Sequence, residues 1–319
     1  MFDMDLKKNT AVIITSCFLL YGCKVGPNFR SPPAPPVKGY TEAPLPKKTA
    51  HSDSKGGNAQ TFVTNEDIPA LWWELFHSDA INQLIKKGLE NNPSLVSAMA
   101  ALHQAQENVT IQIGNSLLPA VSTTNYAERQ RYSTVAIGNG SKGFTFDLYN
   151  SAVNVSYTLD AFGGARRQIE SLKAQVDYQQ FELMAAYLTL TSNIVTTAVS
   201  VASYQDQIEA TLELIKVEQV VMDILNKQYT LGGISSADVL TQKTTLEQTK
   251  ASLPPLQKSL SLAKHSLSAL VGAFPDGPLP EIKLDSLKLP SNIPVSLPSK
   301  LVNQRPDIRA SEALLHFAC

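Results

Sequence analysis

An α+β membrane protein is the fold class this sequence predicts, with very long helices flanking a short run of strands. Three observations carry that reading. A helical pattern opens at Ala165 and continues to about Leu231. The stretch from Val121 to Asp160 changes to a two-residue period. An apolar run, Ala11 to Tyr21, follows Lys7 and Lys8 and stops at Gly22-Cys23.

The apolar run comes first in the chain. A basic start, about 7–15 apolar residues and a small residue at the end is the layout of a secretory signal. The run is too short for a spanning helix, which needs about 20 residues. Residues 1–22 are therefore expected to be a signal peptide. Leu20-Tyr21-Gly22-Cys23 resembles the lipobox of bacterial lipoproteins, with Tyr21 departing from the usual small residue. That resemblance implies cleavage between Gly22 and Cys23 and acylation of Cys23. Two or more acyl chains anchor a protein stably, where one is marginal. Lys24 is not the aspartate that typically holds lipoproteins at the inner membrane. The implied address is the outer membrane of a Gram-negative cell, lipid-anchored and extending into the periplasm.

Composition narrows the function classes. The chain has 319 residues, a formal net charge of −1, 43% hydrophobic and 17% charged residues. Phosphate backbones need a basic excess, so nucleic acid is not expected as a partner. Of the 3 Cys, Cys17 falls in the signal and Cys23 at the acylation position, so the mature chain has no disulfide framework. The 5 His are scattered, none beside cysteines or carboxylates at metal-ligand spacing. Neither a metal nor a cofactor is expected, only covalent lipid on Cys23.

Residues 23–65 are rich in Pro, Lys, Ser and Gly and are read as an extended tether behind the acylated end. Order is expected from Trp72-Trp73 onward. Asp79 to Asn91 reads as a helix with Ile81, Leu84, Ile85 and Leu89 on one face. Pro93 suits the first turn of the next helix, which should end near Leu118-Pro119. Val153, Val155, Tyr157 and Leu159 alternate with polar residues, the mark of a half-buried strand. Phe144, Phe146 and Leu148 alternate in the opposite phase, which predicts a bulge or loop near Tyr149 to Ala152.

The long helix would measure roughly 100 Å at about 1.5 Å per residue. Gly232-Gly233 should end it, and Ser235 or Ser236 should cap the return helix, with Asp238 in its first turn. Leu253, Leu256, Leu260, Ala263, Leu267 and Leu270 form a three-four stripe, the signature of a helical hairpin closed like a coiled coil, about 164–272. Pro254-Pro255 should interrupt that helix. Gly272 closes it, and 276–298 is a proline-rich connector.

An internal echo follows. Pro93 to Ala105 aligns without gaps to Pro306 to Ala318, with Pro, Ala, Leu, His and Ala coinciding. On this reading 66–275 is one full repeat, and 299–319 begins a second that stops in mid-helix.

This order of elements resembles the TolC-like outer membrane factors, most closely the NodT-like lipoprotein branch that serves RND-type efflux pumps. The matching stretches are Cys23 to Phe29, Trp72 to Phe76, Asn92 to Leu95, Tyr157 to Gly163, Gly233 to Leu240 and Gln304 to Arg309. The resemblance implies a homotrimer whose strands share one β-barrel and whose long helical hairpins line a periplasmic tunnel. It implies a passive conduit in a tripartite efflux system, in contact with outer-membrane lipid. A periplasmic adaptor (membrane fusion) protein would dock at the hairpin tip, Leu231, Gly232, Gly233, Ile234, Ser235, Ser236 and Asp238, beneath which sits an inner-membrane RND pump. Family members carry two repeats, so this polypeptide alone is not expected to conduct.

Two rivals remain at this level. A structural periplasmic coiled-coil lipoprotein explains the anchor and helices but not the alternating strands. An enzyme would have to use Asp160 with Arg166 and Arg167, or Glu66 with Asp67. No nucleophile–base spacing, phosphate loop or metal cluster accompanies them, so they read as solvated charges and the chain as a non-enzyme.

Overall fold

The computed structural model describes residues 26–34, 36, 45–53, 57–64, 66–133, 135, 138, 143–296 and 298–319. The signal peptide, Gly22 and Cys23 lie outside the described residues. In chain order the elements are β1 (Thr61–Thr64), a 3-10 turn (Trp72–Phe76), α1 (Asp79–Asn91), α2 (Pro93–Leu117), β2 (Ala120–Tyr132) and β3 (Phe144–Ser156). Then come α3 (Gly164–Thr230), α4 (Ser236–Leu270), β4 (Asn292–Val295), α5 (Pro298–Gln304) and α6 (Pro306–Ala318). They divide into two compact units. Of the described residues, 26–31, 102–179 and 311–319 form one, and the rest form the other.

The larger unit holds the apolar core. Ser78 caps α1 by accepting from the Ile81 N–H at 3.4 Å. The helical period then places Ile81, Leu84 and Ile85 on one buried face. They pack with Ile194 and Ala198 of α3 and with Leu267 and Val271. Gly88 makes the approach possible, since a Cβ there would stand 2.5 Å from Ile194 Cδ1. Asn92 joins three helices. Its Oδ1 accepts from the Ser94 and Leu95 N–H groups at 2.9 and 3.3 Å, capping α2. Its Nδ2 donates to the Leu270 carbonyl at 2.9 Å, satisfying the end of α4. Asn92→Ala removes both services from a buried site and is expected to cost about 2 kcal/mol, read from urea unfolding. Asn92→Asp should recover only part, since it keeps the cap acceptor and loses the donor.

Part of the segment read as tether is ordered as sheet. β1 pairs in parallel with β4, from Thr61↔Asn292 to Thr64↔Val295, so the connector also contributes a strand. Gln60 Nε2 donates to the Pro290 carbonyl at 2.7 Å and extends the clasp. The polar, proline-rich composition hid these strands because each is only 4 residues long.

The double proline does not interrupt α4. The helix runs from Ser236 to Leu270 with Pro254 and Pro255 inside it. The shielded seam explains this, because Leu253 and Leu256 flank the prolines on the packed face while both prolines point outward, exposed.

In the smaller unit, β2 and β3 form an antiparallel hairpin paired residue for residue from Ala120↔Ser156 to Tyr132↔Phe144. The expected bulge near Tyr149 to Ala152 is therefore absent. The unbroken hydrogen-bond ladder keeps the backbone regular, and the apolar side chains change face instead. The strand also ends at Ser156, short of Asp160. Residues 157–163 turn into α3, with Gly163 at φ 78° and the Asp160 carboxylate accepting from the Arg166 N–H at 3.1 Å. Arg167 grips the N-terminal segment, donating to the Gly26 carbonyl at 3.0 Å and to Asn28 Oδ1 at 2.9 Å. Asp160, Arg166 and Arg167 thus have structural work.

The internal echo has a structural counterpart. Both aligned prolines, Pro93 and Pro306, open helices. Where Asn92 caps the first, Arg305 pairs with Asp307 at 2.6 Å beside the second and holds that exposed carboxyl below its ordinary range through the hydrogen bond.

Candidate functional site: the helical tip and the strand hairpin

The turn between α3 and α4 is built by two opposed caps. Gly232 takes φ 75°. The Gly233 N–H then donates to the Gln228 carbonyl at 2.8 Å, and the Gly232 N–H to the Tyr229 carbonyl at 3.0 Å. That is the six-to-one and five-to-two pattern of a Schellman end, which needs a left-handed residue. The next helix starts with a capping box. The Asp238 N–H donates to Ser235 Oγ at 3.4 Å, and the Ser235 N–H donates to Asp238 Oδ2 at 3.0 Å. Ser235, not Ser236, is the cap.

These bonds redistribute what the turn offers a partner. Ser235 is engaged with one carboxylate oxygen of Asp238, Oδ2, to which the Ser235 hydroxyl also donates at 2.8 Å. Ser236 is exposed, and Ile234 is half-buried. The most prominent group is Leu231, 86% exposed at the apex. Tyr229 and Leu240, which the tip read from the sequence did not include, are also exposed large apolar or aromatic groups beside it. Tyr229 continues the three-four spacing of Leu225 yet is exposed, not shielded.

Behind the tip, α3 carries two stripes. Its half-buried positions Ile208, Thr211, Ile215, Glu218, Met222 and Leu225 repeat by threes and fours along the hairpin seam. A second stripe at the same spacing, Leu214, Val217, Val221 and Ile224, is exposed. A single hairpin has no use for the second stripe.

The strand hairpin is likewise sided. Near the helices its odd-numbered face bears Val121, Val153 and Val155, all exposed, while its even-numbered face bears Ser122, Thr124 and Asn154. Toward the β2–β3 loop the pattern inverts. Tyr132, Phe144 and Phe146 cluster on the even face, with ring centroids 5.9 and 5.8 Å apart along the row. Arg129 and Asp147 pair at 3.7 Å on the odd face. Among the described residues no cluster of His, Cys, Asp and Glu could hold a metal ion.

A family model described as outer membrane efflux protein matches residues 84–273. The chain belongs to the outer membrane efflux protein family. Nodulation protein T of Rhizobium leguminosarum bv. viciae is 28% identical over 302 residues, covering 92% of this chain and 56% of the relative. Pyoverdine export outer membrane protein OpmQ of Pseudomonas aeruginosa is 28% identical over 316 residues, covering 96% and 62%. The outer-membrane channel OprN superposes with a TM-score of 0.76 at 24% identity, covering 93% of this chain and 62% of that one. The CmeC outer membrane channel of Campylobacter jejuni gives 0.71 at 20% identity, covering 93% and 61%. At these identities the structures speak to fold, and the fold is the TolC-like one. The chain spans 56% and 62% of the length of the two curated relatives. OpmQ is named as an export protein and OprN and CmeC as outer membrane channels, which fits a non-enzyme.

Proposed function

We propose that this chain is an outer-membrane channel component of a tripartite efflux system, a passive conduit rather than a catalyst. The observation that carries this reading is the exposed β2–β3 hairpin, apolar on its odd face near the helices and on its even face toward the loop, with both edges unpaired among the described residues. In lipid every backbone group must be paired, so such a hairpin is stable only within a closed barrel built from further copies. The second stripe of α3 supports the same arrangement, because helices lining a tube need a neighbour on each side.

The assembly is a homotrimer. Cys23 carries the lipid that anchors it to the outer membrane, and the helical hairpins extend into the periplasm. The tip from Leu231 to Asp238 docks a periplasmic adaptor, which couples it to an inner-membrane RND pump. Leu231 is the anchor of that contact and Ser236 its polar flank. An exposed leucine at the apex of a rigid glycine turn suits an apolar pocket on the adaptor, and a central apolar anchor of this kind contributes about 2 kcal/mol or more. Leu231→Asp is expected to weaken binding of a purified adaptor at least tenfold. Heat-resistant trimers on gels should be unchanged. Unaltered adaptor affinity would remove Leu231 from the docking site.

A further inference from the structure

β2 and β3 are each 13 residues long and paired without a bulge, so each face of their hairpin keeps its own residues from end to end. Near the helices the odd face carries Val121, Val153 and Val155; at the loop end it carries Arg129, Arg131 and Asp147. The even face runs the other way. Near the helices it is small and neutral, with Ser122, Thr124, Ala152 and Asn154. Toward the loop it gains Tyr132, Phe144, Phe146, Leu148 and a carboxylate, Glu128. An aromatic girdle at a membrane surface would share the face of the valines. These rings stand on the opposite face, and the same stretch of strand turns Arg129, Arg131 and Asp147 to the valine side. Lipid therefore does not account for them.

The rings form an open row. Tyr132 and Phe144 face each other across the ladder with centroids 5.9 Å apart, and Phe146 follows at 5.8 Å from Phe144. Tyr132 and Phe144 stay 42% and 55% exposed. Glu128 is the one charged residue on the even face. It sits opposite Leu148, one step along the face from the pair of Gln130 and Phe146. Phe146 is thus its diagonal neighbour, about 7–8 Å away, near enough for one ligand to touch carboxylate and ring together. On the odd face Arg129 is matched by Asp147 at 3.7 Å, whereas Glu128 has no ion pair among the described residues.

We propose that Tyr132, Phe144, Phe146 and Glu128 form a subsite for an organic cation, an ammonium-type group carried on an aryl or alkyl body. Ring faces attract cations, and an unmatched carboxylate beside them fixes the sign of charge that the face accepts. The ring row supplies apolar area for the body of the ligand. All four residues belong to one hairpin, so the subsite stands on the fold of a single chain. Its place, in the lumen at the loop end of a barrel where an exported solute leaves, rests on the channel reading above.

Titration of the full chain in detergent with phenyltrimethylammonium and with benzenesulfonate, read by saturation-transfer NMR, tests this. The two probes share a ring and differ in the sign of their charge. Glu128→Gln keeps the shape of the side chain and should weaken the cation at least about threefold, with binding of the anion not reduced. Phe146→Leu keeps apolar bulk, removes the ring face and should weaken the cation about twofold or more, which gives a second reading on the same site. A cation affinity that Glu128→Gln leaves unchanged, or lowers equally for both probes, overturns the subsite and leaves the rings as packing surface for another copy. Arginine at Val153 and Val155 tests the barrel separately. A cation site that depends on Glu128, in a chain that enters the membrane despite those arginines, would keep the subsite and discard its place in a lumen.

Discussion

Arginine at both Val153 and Val155 is expected to keep the chain out of the membrane. The two valines are 68% and 66% exposed on the odd face of β3, with none of the described residues covering them to explain their apolar character. Their cross-strand neighbours are Thr123 and Val121. The surface they form is wrong for water and right for lipid. A charge on the lipid face of a transmembrane barrel costs about 2–4 kcal/mol near the bilayer midplane and less toward the interfaces. Two such charges on one strand, repeated in every copy of the proposed trimer, should shift the chain from the membrane pellet to the soluble or aggregated fraction. Asn154→Arg is the control. It lies between the two valines but on the polar face, which a barrel turns toward its lumen, and should leave membrane integration intact. Equal loss for both variants would mean that the hairpin tolerates no charge at all, and the sided-barrel reading would fall.

Legibility in the sequence followed the range of the interactions. Local and periodic features were readable. The spacing of Ile81, Leu84 and Ile85 defines α1, and a glycine after a long apolar-periodic run ends α3 where it should. The capping box of Ser235 and Asp238 was half legible: the residue types were recognised, but two serines competed and only geometry separates them. The same box ties the Ser235 hydroxyl to one oxygen of the Asp238 carboxylate and leaves the other outside it. Features joining distant segments left no local trace. Nothing in Thr61–Thr64 announces pairing with Asn292–Val295, and nothing in Asn92 announces a bond to the Leu270 carbonyl. The expected bulge in β3 failed for another reason. A change of apolar phase can arise from a shifted backbone or from a change in what each face meets. Here the ladder is regular and the surroundings change along the strand. Glu218 escaped because a search for apolar periodicity passes over a polar residue that holds a seam position.

The two glycines that end the long helices offer the sharpest test of how the larger unit is held. Gly232 and Gly272 have φ of 75° and 66°. Both close Schellman ends with the same bonds. The Ala273 N–H donates to the Ser268 carbonyl at 2.8 Å and the Gly272 N–H to the Ala269 carbonyl at 3.2 Å, matching the pair at the tip. An alanine at either site therefore meets the same left-handed penalty, about 1–2 kcal/mol. Their surroundings differ. A Cβ at Gly232 meets nothing within 4 Å, whereas at Gly272 it would stand 2.5 Å from the Asn91 carbonyl oxygen and 2.8 Å from its carbon. Those are backbone atoms at the end of α1, one residue before Asn92 ties α2 to α4, so they cannot swing aside like a flexible side chain. Gly272→Ala is expected to destabilise by at least about 3 kcal/mol in urea unfolding, and Gly232→Ala by no more than about 2 kcal/mol. The difference measures the close approach of the α4 end to α1, free of the conformational cost that both share. Equal losses would show that the backbone at Asn91 yields, and that the junction of α1, α2 and α4 is softer than its buried hydrogen bonds require.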